Sequence, residues 1–217
     1  VYVHEVGAPH LISPEKLLAS AGRIYGDQME TLWGAFEPVP EANIHPLSDL
    51  DEIAVGGRTL VAHATPGHAS HHIAFQEPHG GLFAGDVAGV RLQGLPYVRP
   101  PTPPPELDLA LWEQSLDRVA GLRPNVLYLT HFGPFTDVEP HVAQTRERLR
   151  QWDELLSSAQ EAGQSRDDLV TMLRQAGDRE IQQATAEGSA VDRYELATPY
   201  GMTVDGYLRL FRRRARV

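Results

Sequence analysis

The sequence of 217 residues contains no cysteine, which excludes disulfide frameworks, thiolate zinc sites and cysteine nucleophiles. This absence fits a reducing compartment, so we expect a cytoplasmic protein. No apolar run approaches the roughly 20 residues that span a membrane, and we therefore expect no membrane partner. Positive charge is also scarce, because the sequence has 19 Lys and Arg residues but 29 Asp and Glu residues, which gives a net charge of −10. That balance disfavours a nucleic-acid partner.

Hydrophobic patterning divides the chain into two regions. Short β-type segments and turns dominate residues 1–137, whereas residues 138–217 have helical patterns broken near Gly163, Gly188 and Pro199. We therefore predict an α/β domain over 1–137, followed by a C-terminal helical region over 138–217. A chain of this length buries roughly 70% of its unfolded surface on folding, so it needs no covalent staples.

Two β-hairpins are predicted in the first region. Segments 52–55 and 59–64 flank Gly56-Gly57, a pair typical of a two-residue turn. Segments 72–76 and 82–84 form the second hairpin.

Further elements surround the two hairpins. Helices are predicted over 14–25 and 108–122, because apolar residues recur there at helical spacing. The continuous apolar run at 126–129 predicts a buried strand.

A proline-rich stretch separates the second hairpin from the helix over 108–122. Residues 90–107 contain six prolines and no periodic pattern, which predicts an ordered loop. Because the loop follows the strand at 82–84, we expect it to border any site at the end of that strand. Tyr97 is a candidate substrate contact, and plain packing of its ring is the alternative.

Three polar side chains directly follow predicted strands. His68 follows 59–64, Asp86 follows 82–84 and His131 follows 126–129. Side chains at strand ends can converge on one edge of a sheet, where binding sites are commonly built. Imidazole and carboxylate groups suit zinc, iron and similar ions, and a carboxylate can bridge two of them.

Taken one at a time, these residues also have ordinary structural interpretations. A lone histidine is usually a hydrogen-bonded surface or core residue. Asp86 follows a glycine, as turn residues often do, and His131 could cap its strand. The metal interpretation therefore depends on all three residues occurring at successive strand ends.

The segments TPGHASHH, LFAGD and LYLTHFGP, in this order, resemble the later motifs of the metallo-β-lactamase fold superfamily. The resemblance covers about residues 1–135 and implies part of an αββα sandwich with a metal site at one edge of its two sheets. It also implies that His68 and His131 are metal ligands and that Asp86 is a bridging carboxylate. His72 matches a second histidine often present in the Gly-His motif, for which we expect a supporting second-shell role, with a plain structural role as the alternative.

One motif of that family is missing from the sequence. No H-x-H-x-D-H segment occurs, and no two of the ten histidines stand as H-x-H. In the family this motif supplies most ligands of the first metal and lies shortly upstream of a strand like that at residues 1–4. We therefore expect the chain to be a piece of a longer protein. The alternative is a natural half-domain that acts as a binding or assembly module without catalysis.

The resemblance implies a metal-dependent hydrolase in which metal-bound hydroxide attacks an ester, thioester, lactone or similar small-molecule substrate. It implies zinc, two ions per full-length site, with iron or manganese as alternatives. A non-haem iron dioxygenase of the same fold is an alternative activity, because fold alone does not fix the reaction. Assembly into a homo-oligomer is also kept as an alternative.

The last eleven residues contain five arginines. We predict a terminal helix in which Leu208 and Phe211 pack inward while the arginines favour the C-terminal end of the helix dipole. A basic patch for an anionic substrate or partner is the alternative.

Overall fold

The computed structural model describes residues 1–131 and 133–216, with only the backbone of Ile24. Phe132 of the LYLTHFGP segment and Val217 of the tail lie outside the described residues. The described residues form a mixed α/β fold with a C-terminal helical region, which confirms the predicted class. The strands are β1 Tyr2–His4, β2 His45–Leu47, β3 Glu52–Val55, β4 Arg58–Ala64, β5 Ile73–Gln76, β6 Gly81–Gly85, β7 Val126–Leu129 and β8 Gly133–Phe135. The helices are α1 Ala8–Ile12, α2 Glu15–Tyr25, α3 Met29–Trp33, α4 Leu109–Gly121, α5 Val138–Glu161, α6 Arg166–Ala184, α7 Ala190–Ala197 and α8 Tyr200–Arg214.

The chain divides into two compact units, Val1–Asp51 and Glu52–Val217. In the first unit β1 and β2 pair in parallel, and α1 to α3 lie between them in the sequence. The predicted domain boundary at 137/138 lies inside the second unit and stays a prediction. Within the described residues, no helix is both long and apolar enough to cross a membrane.

The second unit is built on a six-stranded sheet with the strands in sequence order from β3 to β8. Both predicted hairpins are confirmed, and Gly56 and Gly57 turn the first one with positive φ angles of 56° and 78°. Such angles at both central residues match the right-handed twist of the strands. Neighbouring strands are antiparallel except for β6 and β7, which pair in parallel with α4 as the connection between them.

This topology decides where the chain can build a site. Strand β4 is antiparallel to β5, and β5 is antiparallel to β6, so β4 runs in the direction of β6 and β7. The C-terminal ends of all three strands therefore meet at one edge of the sheet. The residues that follow them are those around His68, Asp86 and His131.

The core of the second unit joins the sheet to the helices. Trp112 and Leu116 of α4 are fully buried in one cluster with Leu82 of β6 and Leu127 of β7. The same cluster continues through α5, α6 and α8. Full burial of one large apolar side chain contributes roughly 1.5–3 kcal/mol, so this interface fixes the sheet edge firmly.

The C-terminal helices break where the sequence predicts. Helix α5 ends before Gly163, α6 and α7 flank Gly188, and α8 starts directly after Pro199. In α8, Phe211 is buried and Leu208 packs against the core, which confirms the predicted inward face.

The proline-rich stretch 90–107 is an ordered loop, as predicted. Val90 and Arg99 exchange two backbone hydrogen bonds of 2.8 Å. The hydroxyl of Tyr194 in α7 donates to the carbonyl of Tyr97, and the guanidinium of Arg213 in α8 donates to a carbonyl at the end of the loop. Two C-terminal helices therefore hold the loop in place.

Candidate metal centre

The turn that carries His68 packs on the start of α4. Gly67 has a φ of +137°, and a Cβ added there would overlap the backbone of Trp112. The backbone N–H of Asp108 donates to the Gly67 carbonyl at 2.8 Å, and the Trp112 indole N–H donates to the Val87 carbonyl at 2.7 Å. Helix α4 thus fixes both the turn before His68 and the segment after Asp86.

His68 has a defined tautomer. Its Nδ1 atom lies 2.8 Å from the carbonyl oxygen of Pro101, and a carbonyl only accepts, so Nδ1–H is the donor. In the neutral ring, Nε2 then presents a lone pair to Asp86 Oδ2 at 3.6 Å. Two acceptors that face each other at this distance require a proton or a cation between them.

Asp86 stands between two imidazoles. His131 Nε2 lies 3.3 Å from Oδ1, on the other side of the carboxylate from His68. The Oδ1 atom is buried and accepts no hydrogen bond of good geometry, despite this short distance. Burial raises the pKa of Asp86, but the neighbouring His131 and His68 imidazoles outweigh it and lower the pKa overall. The site therefore stabilises a carboxylate anion.

His72 lies behind Asp86 and uses both of its ring nitrogens. Its Nε2 atom accepts the backbone N–H of Asp86 at 2.9 Å, so Nδ1 carries the proton and donates to the Thr65 hydroxyl at 2.7 Å. Burial lowers the pKa of His72 to about 4, which keeps the ring neutral. Gly85 has to be glycine here, because a Cβ would lie 2.5 Å from His72 Nε2. With neither nitrogen available to a metal, His72 is placed to position Asp86.

Two contacts at this edge had no signal in the sequence. The Pro101 carbonyl orients His68 across 33 residues of sequence. The Glu106 carboxylate accepts from the backbone N–H of Ser70 at 2.9 Å and from its hydroxyl at 2.7 Å. The proline-rich loop therefore borders the cluster, as predicted. Neither partner belongs to a motif, and only the fold brings it to the turn.

Tyr97 is enclosed instead of lining the cluster. It is 2% exposed, with its ring 5.0 Å from that of Tyr194 and the guanidinium of Arg148 4.0 Å above it. The predicted direct contact between Tyr97 and substrate would require this packing to open, and it stays a prediction.

The cluster fits part of a metal site. Three nitrogen and oxygen donor groups converge, one buried carboxylate oxygen lacks a good partner, and the exposed fractions of 16% for His68 and 34% for His131 leave the edge open. Over residues 1–131 and 133–216, no group of three or more His, Asp or Glu side chains has the arrangement that holds one ion. The two histidines instead face separate oxygens of a single carboxylate.

The described residues thus form an α/β protein with a histidine–aspartate–histidine cluster at one edge of its sheet. The metallo-beta-lactamase superfamily model matches residues 1–131, more than half of the chain. The chain therefore belongs to the metallo-beta-lactamase superfamily, whose members typically bind zinc or iron.

Relatives show how much of the family's length this chain represents. The metallo-beta-lactamase fold-containing protein ST1585 of Sulfurisphaera tokodaii is 30% identical over 132 residues, which are 60% of this chain and 49% of that protein. The chain thus spans about half the length of this curated relative. The crystal structure of ST1585 superposes with a TM-score of 0.59, covering 70% of this chain and 57% of that one at 30% identity.

A second structure extends the likeness in fold to the C-terminal helices. The metallo-beta-lactamase family protein TTHA1429 of Thermus thermophilus is 23% identical, has a TM-score of 0.63, and covers 99% of this chain. This chain covers 67% of that protein. At this identity the match supports the fold alone.

Proposed function

We propose that this chain is the metal-site portion of a hydrolase that acts on a small-molecule ester, thioester, lactone or similar carbonyl compound. The observation that supports the proposal is the Asp86 carboxylate, which has one imidazole facing each of its oxygens. His68 Nε2, the Asp86 carboxylate and His131 Nε2 would hold metal in this arrangement. When bound, such an ion supplies a water of lowered pKa and polarises the carbonyl under attack.

The chain's own residues would keep this site in order. The Pro101 carbonyl fixes the His68 tautomer, so the nitrogen that faces Asp86 is the one with a lone pair. His72 holds the backbone of Asp86 from behind. Partners of this kind typically orient metal ligands and raise their basicity.

The donor chemistry supports zinc, with iron or manganese as alternatives. Imidazole nitrogen and carboxylate oxygen suit all three ions, and the absence of cysteine excludes thiolate ligation from this chain. We propose two ions per full-length site, because each carboxylate oxygen faces a different imidazole. The net charge of −10 supports a small molecule over a nucleic acid as substrate, and the lack of cysteine supports a cytoplasmic location.

The test is a panel of ester, thioester and lactone substrates assayed with the full-length, metal-loaded protein, together with metal analysis. We expect turnover of one substrate class, and we expect Asp86→Asn to lower that turnover by at least about 100-fold. This is the upper end of the effect for a residue that only orients a metal ligand, and Asp86 would itself bind the metal. Asp192→Asn, an exposed carboxylate on α7, serves as the matched control and should keep full activity.

A binding or assembly module is the second candidate. The observation that favours it is the lack of a three-ligand group for one ion among residues 1–131 and 133–216. Full-length protein that takes up no metal and turns over no member of the panel would support the module. One iron per chain with oxygen consumption would instead indicate the dioxygenase.

A further inference from the structure

Beneath the proline-rich loop, several buried donor groups have no hydrogen-bond partner among the described residues. Arg99 is fully buried, and neither its Nε atom nor its two Nη atoms donate a hydrogen bond. The hydroxyl of Tyr97 on the same loop and the indole N–H of Trp152 in α5 are also buried without a partner. An unsatisfied buried donor costs about 1–3 kcal/mol, and a charged one costs more. The described residues therefore provide no hydrogen-bond acceptor for these donor atoms.

The Arg99 guanidinium lies among aromatic side chains of the C-terminal helices. The guanidinium carbon of Arg99 is 3.7 Å from the ring centroid of Tyr200 and 5.9 Å from that of Trp152. Burial raises the pKa of the Tyr97 and Tyr200 hydroxyls, and the charge of Arg99 partly opposes that rise at both. One buried cation thus acts on donors from the loop and from the helices around it.

Two carboxylates on the C-terminal helices are already engaged by other groups. Glu195 Oε2 accepts the backbone N–H of Tyr200 at 3.1 Å and lies 3.8 Å from Arg99 Nη2, beyond hydrogen-bond distance. Glu180 accepts from Arg148 at 2.7 Å. The charge of Arg99 is therefore attracted by Glu195 but not hydrogen-bonded to it.

We propose that Arg99, Tyr97 and Trp152 form a buried binding site for a small oxyanion of the phosphate or carboxylate class. Arginine and tryptophan side chains only donate, so their partner has to be rich in acceptors. The planar guanidinium matches the paired oxygens of a carboxylate or phosphate.

The site is connected to the candidate metal centre through the loop. Pro101, whose carbonyl orients His68, lies two residues after Arg99. One source of an oxyanion at Arg99 is the acidic end of a small substrate. Free phosphate is the other source of the same chemistry. The assignment of the oxyanion to a substrate rests on the proposed function, whereas the anion site itself does not.

The experiment measures binding of labelled inorganic phosphate to full-length, metal-free protein by equilibrium dialysis at constant ionic strength. Removing metal ensures that phosphate does not report on the metal centre. We expect one saturable site with a Kd in the micromolar to millimolar range, weakened at least about tenfold in Arg99→Met. Arg150→Met, which removes an exposed arginine from α5, is the control and should bind like the original protein. Absence of saturable binding, or unchanged binding in Arg99→Met, would overturn the site and assign the donors to water.

Two gentler variants keep the test decisive if Arg99→Met does not fold. Tyr97→Phe and Trp152→Phe each remove one donor and keep an aromatic ring, and each should weaken phosphate binding several-fold. Unchanged affinity in both would also overturn the proposal.

Kinetics with the metal-loaded protein then distinguish the two sources. Competitive inhibition by phosphate that is lost in Arg99→Met or Tyr97→Phe assigns the site to the substrate's acidic group, whereas binding without competition assigns it to a free anion. If the protein shows no hydrolase activity, the dialysis result still stands. Failure of the proposed hydrolase function is therefore distinguishable from failure of the anion site.

Discussion

His72 Nε2 accepts the backbone N–H of Asp86 at 2.9 Å, which ties the second histidine of the Gly-His segment to the residue between the two candidate ligands. We predict that His72→Phe, which keeps a ring but removes both hydrogen bonds, lowers the metal affinity of the full-length protein by about 10- to 100-fold. Competition with a chelator of known affinity measures the change. His79→Gln replaces an exposed histidine outside the cluster and should bind metal normally. Equal affinity in His72→Phe would show that His72 has only a packing role.

Gly67 permits the close approach between its turn and α4. Gly67→Ala has to place a Cβ against the backbone of Trp112 at a φ of +137°, so we expect a loss of about 2 kcal/mol or more in the free energy of unfolding. Gly121→Ala, at the other end of the same helix, has open space around it and should be neutral or gain up to about 1 kcal/mol. Urea unfolding of both variants measures the contrast, and similar stabilities would contradict the packing argument.

His141 should make stability depend on pH. Burial lowers its pKa to about 4 from an ordinary value of 6.5, while Nε2 contacts the Ala88 carbonyl at 2.7 Å. Between these values the unfolded chain binds more protons than the folded one, so stability rises with pH and is lost as pH falls from 6.5 towards 4. The contribution of His141 is at most about 3 kcal/mol.

The variant His141→Gln cannot titrate, yet its amide can still donate to Ala88. We expect this variant to lose less stability than the original protein as the pH falls through that window. Urea unfolding at several pH values measures the difference. Some pH dependence should remain, because burial also lowers the pKa of His72 to about 4. Parallel curves for the variant and the original protein would contradict the assignment to His141.

The terminal arginines differ in what they contact. Arg213 donates to the Leu107 carbonyl, and Arg214 pairs with Asp153 at 2.8 Å. We predict that Arg213→Met lowers the free energy of unfolding by about 1 kcal/mol. Arg212→Met, which removes an exposed charge, should change neither stability nor the salt dependence of KM. A salt-sensitive KM in Arg212→Met would instead favour a basic patch for an anionic substrate.

Local signals were sufficient to predict five of the six strands in the sheet that builds the site. Alternating segments and a Gly-Gly turn indicate the first hairpin, and the uninterrupted apolar run at 126–129 matches β7 residue for residue. The convergence of residues at the strand ends followed from those strands alone. The roles of His68, Asp86 and His131 as ligands stay predictions.

Elements without a local signal were missed. Strand β8 reads Gly-Pro-Phe, a poor strand sequence, and it forms only at the edge of the sheet, where a proline is tolerated. The helices α1 and α3 have five residues each, too few for a helical period to be visible. The donors around Arg99 come from the loop and from helices about 50 to 100 residues further along, so no pattern in the sequence groups them.

The dependence of the 90–107 loop on α7 and α8 has a consequence for biosynthesis. The carbonyls of Tyr97 and Leu107 are held by residues 97 and 106 positions downstream. A nascent chain that has emerged as far as β8 already contains His68, Asp86 and His131, but the groups that fix the loop are still unmade. Contacts of such long sequence separation form late. On the ribosome, the edge of the sheet would therefore assemble before the Pro101 carbonyl that orients His68 is locked in place.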